Sequence, residues 1–182
     1  MLKIIAGKKG GIPLQAPDGM DTRPTQAKVR ESLFNMIQNR VEGTSVLDLF
    51  AGSGALGFEA LSRGAAEAVL NDQDRRAVEC IRKNKEKLRF GNECEIFQGD
   101  WKAALSRLGG RRFDLVFLDP PYRMEILADC CGYMAEHGML NPGALIIMEH
   151  ASGRYTSPSG SFSEYKERAY GDTEIHIVEY EE

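Results

Sequence analysis

From residue 43 onward the chain alternates between two patterns. Apolar runs at 45–50, 67–71, 94–97, 113–118 and 143–149 each read as a buried strand. The stretches between them, about 55–63, 74–89, 101–108 and 124–136, carry helical spacing. This alternation constrains the fold more than any other feature. Parallel neighbours need a crossover long enough for a helix, so the pattern predicts a parallel sheet with helices on both faces. The last thirty residues break it. Residues 152–163 are rich in Ser, Gly and Pro and read as loop. "EYKERAY" and "TEIHIVEY" then alternate around Gly171-Asp172, which predicts two exposed strands in an antiparallel hairpin. The expectation is an α/β fold, a mainly parallel seven-stranded sheet closed on one side by that hairpin.

The N-terminal segment has a different character. Residues 2–6 and 12–15 read as short strands joined through "GKKGG", with Pro13 limiting the second to an edge. Residues 16–24 read as loop. A helix is expected from an N-cap at Thr25 to about Arg40, with Val29, Leu33, Phe34, Met36 and Ile37 on one apolar face and Lys28 and Arg30 off it. Residues 1–40 are thus expected to form a small β/α extension on a main domain of residues 41–182. The extension holds seven Lys/Arg against three Asp/Glu, while the net charge of the whole chain is −4. A basic end on an acidic body suggests a local electrostatic footprint for nucleic acid.

At 182 residues, 42% hydrophobic and 27% charged, the chain has the composition of one soluble globular domain. No apolar run approaches membrane-spanning length, and "MLKIIAGKKGG" is too short in apolar residues for a signal peptide. A cytoplasmic protein with no membrane partner is expected. Cys80, Cys94, Cys130 and Cys131 form no C-x-x-C pair, and His137, His150 and His176 are far apart in sequence, so no metal site is expected. The thiols should be reduced and mostly buried. Adjacent Cys130 and Cys131 on one helix are expected to leave one of them partly exposed.

Two junctions carry chemistry. The first, "VLDLFAGSGALG" at residues 46–57, places Gly52, Gly54 and Gly57 in the G-x-G-x-x-G pattern after a strand. That pattern alone fits NAD, FAD or S-adenosylmethionine. Asp48, four residues before the first glycine, suits a cationic ammonium better than a pyrophosphate. Asp72, at the end of the second strand, suits ribose hydroxyls. Asp74 reads as the N-cap of the following helix. Gly99-Asp100 suits either an adenine contact or a cap ahead of Trp101. The second junction is "FDLVFLDPPYR" at residues 113–123. Pro120 and Pro121 have no N–H, and an ionised Asp119 only accepts. Tyr122 adds a flat ring. A stiff loop of acceptors beside an aromatic face suits a planar group bearing –NH2, such as a nucleobase.

With these junctions in view, "DLFAGSGALGFEALSRGA" followed by "DPPY" resembles class I S-adenosylmethionine-dependent methyltransferases acting on exocyclic amines. "IIAG", "RPT", "VRESLFN", "DLFAGSGALG" and "FLDPPY", in that order, are similar to the RsmD family of bacterial 16S ribosomal RNA (guanine-N2)-methyltransferases, over essentially the whole chain. After "AGK" this chain has Lys9-Gly10-Gly11-Ile12, where family members usually carry more basic or aromatic residues.

The resemblance implies a Rossmann-like domain that binds S-adenosylmethionine through Asp48, Phe50, Gly52, Ser53, Gly54, Asp72, Asp100 and Asp119 and releases S-adenosylhomocysteine. It implies that Asp119, Pro120, Pro121 and Tyr122 handle the acceptor amine. Lys8, Lys9, Arg23, Lys28 and Arg30 would contact RNA. The partner would be 16S rRNA, within an assembled or assembling 30S subunit, and the enzyme a monomer. An adenine-N6 methyltransferase on DNA or RNA is the alternative, since the acceptor loop does not name the base. A nucleotide-dependent oxidoreductase is disfavoured by Asp48 and the second junction. A non-catalytic RNA binder would need neither the glycines nor Asp119.

Overall fold

The computed structural model describes residues 1–20, 24–121 and 125–182. Arg23 and Tyr122, two expected site residues, lie outside the described residues. Five parallel strands, β1 (Ser45–Asp48), β2 (Glu67–Asp72), β3 (Cys94–Gln98), β4 (Phe113–Leu118) and β5 (Leu140–Ala151), join the antiparallel β6 (Phe162–Tyr170) and β7 (Thr173–Tyr180). They form one sheet in the order β3-β2-β1-β4-β5-β7-β6. The seven-stranded α/β expectation is met, including the hairpin that turns at Gly171-Asp172. β7 is not an exposed strand, however. It lies between β5 and β6, and Ile175 to Val178 are buried.

The apolar runs explain the layering. Side chains alternate across a strand, so each run feeds two cores. Val46, Leu70, Leu115, Phe117 and Ile147 pack with Leu33, Phe34, Phe58 and Ile81 on one face. Leu47, Val69, Val116, Leu118 and Met148 pack with Leu105, Leu127 and Met134 on the other. The first face is covered by α1 (Pro24–Met36), α2 (Ala55–Ser62) and α3 (Arg75–Leu88), and the second by α4 (Trp101–Arg107) and α5 (Leu127–Glu136). No described helix is long and apolar enough to cross a membrane.

Local details depart from expectation in three places. α1 begins at Pro24, so Thr25 sits inside the first turn rather than capping it, and after Met36 the chain tightens into a 3-10 turn over Gln38–Arg40. Pro at the first helical position costs nothing, because its missing N–H would have no intrahelical partner there. Residues 2–6 and 12–15 meet in a single antiparallel bridge, Lys3 to Pro13, and not as strands. Cys130 and Cys131 are both fully buried. Successive helical residues differ by about 100°, and the apolar stripe of a core-facing helix can be at least that wide.

The N-terminal arm is fastened to α2 by one carboxylate. Glu59 is 0% exposed and accepts the Ile5 and Ala6 N–H groups at 2.8 and 3.0 Å. It also pairs with Arg63 at 2.8 Å and Arg30 at 3.9 Å. Gly7, at φ +82°, lets the arm pass so close that a Cβ would lie 2.0 Å from the Ser62 carbonyl oxygen. Ile4, Leu14 and Phe34 pack in the same core as the sheet, so residues 1–40 share the main domain's interior. Glu59→Ala should destabilise the protein by about 3–5 kcal/mol, since it strands the 7%-exposed Arg30 without its counter-charge. Urea unfolding measures this, and a loss under about 1 kcal/mol would show that the arm does not depend on the ion pair.

Candidate active site

Strand order reverses at β1. β2 and β3 lie to one side, β4 and β5 to the other, which opens a crevice beyond the carboxyl ends of the strands. A cavity of about 840 Å³ occupies it. One end is walled by Gly52, Asp72 and Asp100, the other by Asp119, Pro120 and Glu149.

Two carboxylates shape the glycine loop between β1 and α2. Asp48 accepts the Gly57 N–H at 3.0 Å, and Asp72 accepts the Gly52 N–H at 2.9 Å. Gly54, at φ +83°, is the N-cap of α2, and a Cβ there would lie 2.5 Å from the Phe58 ring. Leu70 also crowds it at 2.9 Å, so glycine serves both the turn and the packing. Gly54 therefore supports the loop from behind, while Phe50, Gly52 and Ser53 line the cavity.

Asp48, expected to favour a cationic ligand, is only 1% exposed and is not among the residues that line the cavity. It lies beneath the loop with Oδ1 unpartnered. Burial pushes its carboxyl up to about 7, opposed by the Gly57 hydrogen bond and reinforced by Asp72. Asp72 does line the cavity, and its second oxygen accepts the Asp74 N–H at 2.9 Å. Asp74 caps α3 through the Arg76 N–H at 2.8 Å, as expected. Asp100 caps α4 through the Ala103 N–H at 3.0 Å, one of the two places expected for it, and its residue also lines the cavity.

At the other end, Asp119 follows β4, with Pro120 and Pro121 beside it on the wall. Burial raises the Asp119 carboxyl well above the ordinary range, and Glu149 and Asp48 raise it further. Glu149 was not singled out from the sequence. Its signal was an acid at the carboxyl end of a buried strand, the same signal carried by Asp48, Asp72 and Asp119. Asn71 was also missed. It is 1% exposed and donates to the Leu49 and Gly99 carbonyls at 3.1 and 3.0 Å, tying the loops after β1 and β3 together. The β6–β7 turn, residues 170–173, supplies a further wall from a segment read only as a hairpin.

The expected RNA contacts scatter. Arg30 is buried, donates to the Lys3 carbonyl and pairs with Glu59, so it is not the surface cation anticipated. Its side chain turns inward because Glu59 supplies a buried counter-charge. Lys28 is exposed on α1. Lys8 and Lys9 donate their backbone N–H groups to Ser62 at the end of α2 away from the glycine loop. Basic charge also collects on α3, which carries six Lys/Arg against Glu79 and Glu86.

The doubly wound sheet, the glycine loop pinned by acids and the Asp119-Pro120 wall define a class I methyltransferase. The chain belongs to the RsmD family: the family model described as Conserved hypothetical protein 95 matches residues 2–179. Ribosomal RNA small subunit methyltransferase D of Escherichia coli (strain K12) is 35% identical over 182 residues, covering 99% of this chain and 90% of that protein. Its Haemophilus influenzae counterpart is 32% identical over 93% of this chain and 89% of its own length. A solved Escherichia coli structure, described as a candidate methyltransferase, yhhF, superposes with a TM-score of 0.90 at 34% identity, covering 99% and 98% of the two chains.

Asp48 gives a pH-dependent stability. Its folded carboxyl holds a proton up to about pH 7, whereas the unfolded chain releases it near the ordinary carboxyl value of 3.8. The folded state thus binds more protons between those values, and stability falls as pH rises through them. Asp48→Asn should flatten that fall, seen by comparing urea midpoints of both proteins at about pH 5 and pH 8. Parallel profiles would show that Asp48 is not the titrating group.

Proposed function

We propose that this chain transfers the methyl group of S-adenosylmethionine to the exocyclic N2 of a guanine in 16S rRNA, releasing S-adenosylhomocysteine. The observation that carries this reading is one cavity joining the glycine loop to the Asp119-Pro120 acceptors. The acids of the crevice support the choice of cofactor. Asp48 keeps an orphaned buried oxygen, and Asp72, Asp119 and Glu149 stand nearby on the wall. A pyrophosphate would add negative charge to that set. A ligand bearing an ammonium and a sulfonium relieves it. The relatives' names support ribosomal RNA as substrate and do not favour an adenine-N6 enzyme on DNA.

In this reading the glycine loop and Asp72 hold the cofactor, whose sulfonium supplies an electrophilic methyl group. Asp119 and the Pro120 carbonyl each accept one N–H of the amine. That draws the nitrogen lone pair out of the ring and aims it at the methyl carbon. Positioning and electrostatics account for much of the rate. As the N–C bond forms, the C–S pair goes to sulfur and a nitrogen proton passes to the Asp119 carboxylate. Tyr122 stacks on a base flipped out of its RNA. Lys8, Lys9, Arg23 and Lys28, joined by the exposed cations of α3, engage phosphates. The enzyme acts as a cytoplasmic monomer on the 30S particle.

The test is labelled S-adenosylmethionine with 30S particles from cells lacking the enzyme, followed by nucleoside analysis. N2-methylguanosine is expected. N6-methyladenosine, or no incorporation into RNA, would overturn the assignment. The ionised Asp119 is the accepting form, and its carboxyl lies above the ordinary range, so kcat/KM should drop on acidification at a pH above that of an unperturbed carboxylate. Asp119→Ala should remove this ionisation and lower turnover by roughly 10²–10⁴-fold. Wild-type turnover in that variant would remove the acceptor role.

A further inference from the structure

The histidines are far apart in sequence, which argues against a metal site. The β5–β7 ladder removes that distance. His150 lies opposite Glu174 and Met148 opposite His176 in the antiparallel pair, so all four side chains project from one face of the sheet. The two imidazoles come to rest with ring centroids 5.0 Å apart and planes 31° from parallel. One ligand atom from each of His150, Glu174 and His176 lies within 4.8 Å of the other two.

The described residues leave both rings incomplete. His150 Nδ1 is 2.9 Å from the Ala151 carbonyl, which only accepts, so Nδ1 carries the proton and Nε2 the lone pair. That Nε2 and the Nδ1 of His176 are buried without hydrogen-bond partners among the described residues, and His150 is only 5% exposed. Glu174 approaches without closing. Its Oε1 accepts the Ser152 hydroxyl at 2.5 Å, while Oε2 stops 3.8 Å from His176 Nε2 and 4.0 Å from His150 Nδ1. Leaving buried nitrogens unpaired is costly. A ring held by its Nδ1–H on a backbone carbonyl, with Nε2 free, is how proteins orient a metal-binding histidine. Two imidazoles bound to one tetrahedral ion, at about 2.0–2.1 Å from it, hold their centroids roughly 5 Å apart.

We propose that His150, Glu174 and His176 bind one divalent cation of the zinc class, with water or a further carboxylate in the fourth position. Imidazole donors suit zinc better than magnesium or calcium, which favour oxygen. The surrounding charge agrees. Glu164 and Glu167 on β6 each bring Oε2 to 3.8 Å from His176 Nδ1, and the Tyr155 ring stacks on His176 at 3.7 Å, covering the site. The ion clamps β5 to β7. Alternation along β5 puts it on the opposite face of the sheet from Glu149, so it braces from behind the cavity wall formed by Glu149 and residues 170–173. The site is independent of the methyl-transfer reading.

A proton is the rival occupant, giving an imidazolium among three glutamates. The test strips the untagged chain with a chelator and titrates it with Co²⁺, whose visible absorption reports tetrahedral ligation. Wild type should saturate at one ion per chain, yield it to Zn²⁺ but not to Mg²⁺, and melt at a higher temperature with Zn²⁺ present. His150→Asn, His176→Asn and Glu174→Gln should each weaken Co²⁺ binding by at least roughly 10²-fold. His137→Ala, at the histidine outside the cluster, should bind as wild type does. Circular dichroism in chelator selects the variants that keep the fold, and Glu174→Gln, at a quarter-exposed side chain, is the mildest of them. No saturable Co²⁺ spectrum in the wild type would overturn the proposal in favour of the proton. So would wild-type affinity in Glu174→Gln, or lost binding in His137→Ala.

Discussion

The structure depends on placing carboxylates at the ends of buried parallel strands. Asp48 ends β1, Asp72 ends β2, Asp119 follows β4 and Glu149 lies near the end of β5. Strand ends meeting at a topological switch point bring these acids into one crevice, where low dielectric magnifies their repulsion. The fold answers part of it locally. Gly57 and Gly52 turn their N–H groups onto Asp48 and Asp72, so the glycine loop is both the floor of the site and the partner of its acids. Asp119 and Glu149 follow the paired residues Leu118 and Met148 and both line the cavity. The carboxyls of Asp48 and Asp119 are raised chiefly because burial disfavours their charge, and the neighbouring acids add to it.

The roof of the crevice is held by a second charge arrangement. Glu59 on α2 collects two backbone N–H groups and two guanidinium groups, and so fixes the arm that runs on toward the cavity. Asn84 on α3 clasps the arm again, exchanging hydrogen bonds with the Gln15 backbone at 2.8 and 2.9 Å and donating to the Ser53 carbonyl at 2.9 Å. The same amide thus ties the arm to the glycine loop. Met20, beyond that clasp, sits against Gly52 so closely that a Cβ there would be 2.4 Å from its methyl carbon. The arm therefore belongs to the cofactor end of the site as well as to the expected RNA side.

What was legible in the sequence follows from how locally each feature is encoded. The alternation of apolar runs is a short-range signal, and all five parallel strands and four crossover helices appear where it places them. Asp74 and Asp100 cap helices because a cap is decided within three residues. Arg30 defeated the reading because its inward turn is set by Glu59, twenty-nine positions away, and no periodicity reports a buried ion pair. β7 defeated it similarly, since alternation alone does not say which hairpin strand lies inside the sheet. Glu149 was hidden for a different reason. It lies near the end of the run "ALIIMEH" with no glycine or proline beside it, and only the β4–β5 register shows that it stands next to Asp119.

Charge segregation gives the acidic chain a route to an acidic polymer. The crevice concentrates carboxylates, but they are half-buried or pinned beneath a loop, and their field is directed into the cavity. Exposed cations include Arg82, Lys83 and Lys87 on α3, which have no ion-pair partners among the described residues, and Lys8, at a turn beside the half-buried Lys9, whose ammonium is 5.6 Å from the Phe90 ring centroid. That ring stacks on Phe58, so the turn and the C-terminal end of α3 are joined across one surface. A phosphate backbone can follow this stripe while a single extruded base enters the acid-lined cavity, because backbone contacts read charge and the cavity reads N–H donors. The −4 net charge of the chain is then no bar to a basic stripe, since its acids and its exposed cations occupy different parts of the molecule.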